Sequence, residues 1–154
     1  MHPIIWTIIL SILPVSELRG GIPYAILNGI NPITAFLVAV LANILVIPII
    51  FFFLDNIHDF LLKIRPYEKA FNFYITRKVE KVKRKYENLE LIVLFLFVAI
   101  PAPGTGAYTG VLLSWFFELD RKKSFATIAL GVITAGIITT ILTLTGKGLF
   151  ELIF

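Results

Sequence analysis

Glu17 and Arg19 are the only charged residues ahead of Asp55, and they stand two apart in LPVSELRGGIP, between Pro14 and Pro23. In an apolar setting a lone charge costs about 2.5–3.5 kcal/mol or more, so each must face protein or water and find a partner. Arg19 stays charged and presents a planar fork that suits an anion such as a phosphate. Glu17 is the one interior carboxyl, and a carboxyl withdrawn from water binds a proton more readily. The two could instead neutralise each other and pin the turn as an internal ion pair. Gly20 and Gly21 follow directly and permit positive φ or close backbone approach.

A second stretch, IPAPGTGAYTG at 100–110, carries no charge but offers hydroxyls at Thr105, Tyr108 and Thr109 and the flexible Gly104 and Gly106. Pro101 and Pro103 break this stretch as Pro14 and Pro23 break the first, because proline lacks the amide a helix needs. Helices that stop inside a membrane expose terminal N–H groups, and these favour anions. Substrate contact is therefore expected from both stretches. Asn43, inside an uncharged run, needs a hydrogen-bond partner, either in helix packing or on a cavity wall.

Other chemistries lack their residues. Neither glycine pattern follows a strand or precedes a P-loop lysine, so nucleotide binding is unsupported. A serine or threonine nucleophile needs a base, and His2 and His58 lie outside both stretches, so no enzyme is expected. With no cysteine and two histidines, neither a metal site nor a cofactor is expected.

The elements that must hold these residues are apolar. Of 154 residues 58% are hydrophobic and 16% charged, too apolar a surface for water, and mean hydropathy is +0.90. The net charge of +4 does not signal nucleic acid: nine of fourteen Lys/Arg lie between Lys63 and Lys85, and Arg121, Lys122 and Lys123 form a second cluster. Basic clusters beside apolar runs set membrane topology and meet anionic headgroups. The opening run lacks a basic n-region and a small-x-small site, so no cleaved leader is expected.

Residues 32–54 and 124–146 are uncharged and each reach about 34 Å as a helix, enough to span. Residues 91–117 are too short to cross twice. A single crossing would put the two basic clusters on opposite faces, against the positive-inside tendency. A descent, a turn at Pro101–Gly106 and a return keep them together, and the broken run at 3–30 has the same form. One crossing separates the two hairpins, so they enter from opposite faces, as in secondary transporters.

The expected fold is an all-α integral membrane protein built as an inverted repeat, each half a re-entrant helical hairpin followed by a transmembrane helix, joined by an amphipathic interfacial helix. One membrane domain covers 1–154. The first repeat is 1–56 (re-entrant 3–30, transmembrane 32–54) and the second 91–154 (re-entrant 91–117, transmembrane 124–146). The linker 57–90 places Ile75, Val79, Val82, Tyr86, Leu89 and Val93 on one face among lysines and arginines, as a helix at a membrane surface does. The chain is expected in the cell membrane, multi-pass, with 63–85 and 119–123 cytoplasmic and both termini opposite. Gly131, Ala135 and Thr139, beside Gly136 and Thr140, form a small-residue stripe for packing hairpins or a second copy, so a homodimer is expected.

ELRGGIPYAI at 17–26, LANILVIPIIFF at 41–52, VAIPAPGTGAYTGVLLSWFF at 98–117 and LDRKKSFATIALGVITAGII at 119–138 resemble, in that order, the small multidrug export protein family. That family is in turn similar to the wider DedA/VTT group. The resemblance to this group implies opposed re-entrant hairpins and movement of polyprenyl phosphates or phospholipids, in some members with proton coupling. It implies an acidic role for Glu17 and phosphate contact near Arg19. It also implies an arginine at the second hairpin, where this chain has Gly104, Thr105 and Gly106. Three functions are expected to compete: a secondary transporter or flippase for an anionic lipid, possible partners being membrane lipids and protons; an exporter of small amphipathic cations using Glu17; and a non-transporting structural or assembly protein.

Overall fold

The computed structural model describes residues 2–61, 87–102 and 104–153. Of the amphipathic linker expected over 57–90, residues 62–86 fall outside the described residues, as does the expected break at Pro103. Among the described residues the chain is all-α, with six helices: α1 (Pro3–Ile12), α2 (Glu17–Leu27), α3 (Pro32–Leu61), α4 (Glu87–Ala99), α5 (Ala107–Phe116) and α6 (Arg121–Ile153).

Local chemistry sets their ends. α1 starts with Pro3 in its first turn, where a missing amide costs nothing, and with His2 Nδ1 accepting the Ile4 amide at 3.4 Å. It stops because Leu13 precedes Pro14 and is held extended, at φ −67° and ψ 133°. Pro23, expected to break the same stretch, instead lies inside α2, where its missing amide removes one helical hydrogen bond without ending the helix. Asn31 Oδ1 accepts the Ile33 amide at 2.9 Å and opens α3, again with proline first. Asp120 Oδ1 accepts the Lys123 amide at 2.9 Å and opens α6.

α3 and α6 are long and apolar enough to cross a membrane, over Pro32–Asn56 and Arg121–Gly146. In their most apolar 18-residue stretches only 44% of α3 and 33% of α6 is buried. The core helix of a water-soluble protein would hide most of such a surface. Here Leu37, Leu41, Leu45 and Ile49 run down the outside of α3 at four-residue spacing, and Leu130, Ile137 and Ile141 down the outside of α6. A contiguous apolar wall of this kind is stable only in an apolar solvent.

Inside, small residues bring helices together. A Cβ on Gly131 would stand 2.7 Å from the Val98 Cβ of α4, and one on Gly136 would stand 2.7 Å from Val40 of α3. The small-residue stripe therefore packs within the chain. Ile22, Ile47, Val98, Val111, Ile128 and Val132 fill the centre.

The ends show how the hairpins lie. Four residues separate the end of α2 from the start of α3. At the other end of α3, Asp55 accepts the Trp115 indole N–H at 3.1 Å and pairs with Arg121, whose guanidinium lies 4.6 Å from the Phe51 ring centre. The α1–α2 hairpin is thus tied to the start of α3 and the α4–α5 hairpin to its end. Their tips meet between.

Candidate functional site

A helix leaves its last four carbonyls without internal partners, and away from water each one is costly. α1 stops at the tip of its hairpin, and its four are all met. Ile9 O accepts the Leu13 amide at 3.1 Å and Leu10 O accepts the Ser16 hydroxyl. Ser11 O accepts Asn43 Nδ2 at 2.9 Å, and Ile12 O accepts the Tyr108 phenol at 2.5 Å. One donor is the chain's own continuation, one comes from the turn, one from α3 and one from the other hairpin.

The reciprocal contact closes α5. Its first amides point toward the Glu17 carboxylate: Tyr108 N–H donates to Oε1 at 3.4 Å, and the Ala107 amide is directed at the same group. A carboxylate at a helix N-terminus meets both the unpaired amides and the positive end of the helix dipole. Glu17 is only 5% exposed. Gly106 precedes α5 at φ +127°, and a Cβ there would collide with the Glu17 carboxylate, so glycine is required twice over. Glu17 itself has φ +45°, a left-handed conformation that is uncommon without glycine.

Arg19, one half-turn further along α2, reaches the same tip. Its guanidinium donates to the carbonyl of Ala102 and, at 3.4 Å, to that of Thr105. The Thr105 hydroxyl shapes this turn, lying 2.6 Å from the Ile100 carbonyl and accepting the Ala102 amide at 3.1 Å. Gly104, at φ +83°, supplies the reversal.

Between the tips an open groove of about 530 Å³ is walled by Pro14, Val15, Ser16, Arg19 and Gly20 from the first hairpin. Gly104, Thr105 and Thr109 close it from the second. Among the described residues Arg19 is the only charged side chain on its wall. Five of the residues that the sequence marks for substrate contact line it: Arg19, Gly20, Gly104, Thr105 and Thr109. Glu17, Gly106 and Tyr108 form the contact behind it.

Two expected contacts are placed elsewhere. Gly21 faces α1, where a Cβ would collide with the Ser11 hydroxyl, so its role is close helix packing. Asn43 is fully buried and serves the end of α1, which answers the choice between packing and cavity lining. Glu17 and Arg19 also occupy the first turn of a helix, since α2 begins at Glu17, and no ion pair joins them among the described residues. Sequence reasoning passed over Ser16 and the Tyr108 phenol as helix-end partners. The signal available was Pro14 itself, which leaves carbonyls behind it to be satisfied. Among the described residues no cluster of three metal-ligating side chains occurs.

Two long helices that turn apolar faces outward, with polar groups gathered where two broken hairpins meet, define an α-helical membrane protein. Residues 17–138 match the family described as "Putative small multi-drug export protein", and the chain belongs to that family. The match opens on Glu17, so it takes in Arg19 and Gly20 of the first tip and the whole of the second. No curated protein matches the chain, and no solved structure does. Family and apolar helices together place the protein in a membrane.

Proposed function

We propose that this protein is a small secondary transporter built as an inverted repeat, whose two re-entrant hairpins carry an anionic amphiphile, such as a phospholipid or polyprenyl phosphate, across the bilayer. The observation that carries the reading is the Arg19 guanidinium on the wall of the inter-hairpin groove. Two of its donors are spent on backbone carbonyls, which fix the fork without neutralising it. An anionic headgroup beside Arg19 and the Thr109 hydroxyl restores charge balance, while the apolar part stays in lipid.

Glu17 acts from behind. Its carboxylate holds the N-terminus of α5, and protonation removes the charge that makes the hold strong. Proton uptake by Glu17 then lets the tips separate, and the hairpins alternate exposure of the groove. In this reading the basic segments 63–85 and 119–123 face the cytoplasm, both termini face the other side, and two copies associate. The likeness to the DedA/VTT group points the same way.

Export of amphipathic cations through Glu17 is disfavoured, because that carboxylate is committed to a helix end and does not line the groove. A purely structural role has one observation in its favour, the mutual capping of the two tips.

Reconstitution separates the three. Purified protein in liposomes is assayed with labelled anionic phospholipids, polyprenyl phosphates and cationic dyes, with and without a pH gradient. Movement of the anionic lipids, faster with a gradient, is expected. Dye efflux with no lipid movement transfers the assignment to cations, and a folded protein that moves nothing leaves the structural role.

A further inference from the structure

The inter-hairpin groove has a narrow charge balance. Arg19 is the one basic side chain on its wall among the described residues, and the other described cations stand well away. Arg121, Lys122 and Lys123 open α6, at the opposite end of α5 from the tip. α5 has 10 residues, about 15 Å of rise, and Arg121 is already paired with Asp55. Lys147 falls beyond the spanning part of α6. Directly behind the groove stands the Glu17 carboxylate, only 5% exposed and turned to the α5 amides.

The wall therefore offers one positive charge with a negative one behind it. A phosphodiester carries a single charge, which Arg19 balances. A terminal phosphomonoester carries about 1.5–2 charges at pH 7, its second pKa being about 6. Its extra charge finds no cation on the wall and is repelled by Glu17, in surroundings of low dielectric where close charges are felt strongly. Room points the same way. Pockets of about 300–1,000 Å³ hold whole small molecules, and the groove, at about 530 Å³, takes a phosphate together with an esterified alcohol. The Ser16 and Thr105 hydroxyls are spent on the Leu10 and Ile100 carbonyls, so Thr109 supplies the neutral hydroxyl that such an alcohol meets.

We propose that the groove selects a monoanionic phosphodiester headgroup, bearing a small neutral alcohol, over a dianionic phosphomonoester. This selectivity rests on the groove being the path of an anionic amphiphile, and it narrows the cargo to diester phospholipids. Val15, 88% exposed on the same wall, is the position where a second cation would undo the selection.

The test uses liposomes holding the full-length protein and two tail-labelled lipids of identical acyl chains, phosphatidic acid and phosphatidylmethanol, which differ by one methyl group and one charge. At about pH 8.5 the monoester is mostly doubly charged. After subtraction of the rates in protein-free vesicles, phosphatidylmethanol is expected to cross about tenfold faster. Val15→Lys, its folding checked by gel filtration, is expected to raise phosphatidic acid movement and remove most of the difference. Equal rates for the two lipids in the unaltered protein, or faster phosphatidic acid, overturn the selectivity and leave the groove as the path. A difference that survives in folded Val15→Lys overturns it as well. Movement of neither lipid overturns the path itself.

Discussion

The Glu17 oxygen Oε1 lies 3.4 Å from the amide nitrogen of Tyr108, 91 positions along the chain, so the first residue of α2 caps the first turn of α5. The Tyr108 phenol returns the contact by donating to Ile12 O, in the last turn of α1. Each hairpin thus supplies what the other's broken helix lacks, a negative group for exposed amides and a donor for an exposed carbonyl. Neither tip is satisfied alone, so the two are expected to hold or release together.

Replacing Glu17 by alanine leaves the α5 amides unpaired in an apolar interior. Glu17→Ala is expected to destabilise the protein by about 1–3 kcal/mol, and Glu17→Gln by less, since its amide oxygen still accepts. Thermal unfolding in detergent checks the order. Equal losses in the two variants would contradict the capping role.

At Gly106 an added methyl meets the Glu17 carboxylate and is strained at φ +127°. Gly106→Ala is expected to cost about 2–4 kcal/mol from strain and overpacking together. Combining it with Glu17→Ala removes the collision but not the strain. The double variant should therefore be more stable than the sum of the single losses predicts, and simple additivity would argue against the contact.

Asn43 donates to Ser11 O from a fully buried position. Asn43→Leu is expected to lose about 1–3 kcal/mol by orphaning that carbonyl. Asn43→Asp should lose more when ionised, because it sets a charge against an acceptor. Unfolding transitions measured side by side decide whether Asn43 caps α1.

For Arg19 the expected readout is transport. Arg19→Lys keeps the charge and loses the planar fork, so it should slow movement of anionic lipid, and Arg19→Gln should slow it further, by about tenfold or more. Initial rates are compared at equal amounts of folded protein. Thr109→Val tests the same groove at a residue that does not join the tips, and unchanged rates in all three variants would remove the groove from the pathway.

The chain has no cysteine, so single cysteines can be introduced without background. If the hairpins enter from opposite faces, Asn28→Cys, after α2, and Phe117→Cys, after α5, should react with a membrane-impermeant maleimide from opposite sides of the vesicle. Labelling of both from one side would exclude the inverted arrangement.

Much of this protein follows from its sequence alone. The uncharged runs beginning at Pro32 and following Lys123 are long enough to span, and proline dictates that helices stop at Leu13 and near Pro101, because the missing amide and the clash with the preceding residue act locally. Composition alone makes lipid the solvent. Which polar groups meet was not legible, because it depends on contacts between residues more than 80 positions apart. Glu17 and Arg19 invited pairing with each other, yet helical geometry from Glu17 onward carries both to the second tip, one to its amides and one to its carbonyls. Gly21 was grouped with the substrate contacts and Asn43 could have served packing or a cavity wall, until the packing of α1 set both against it. Proximity in sequence fixed where the helices end; only the meeting of the two hairpins decided how those ends are satisfied.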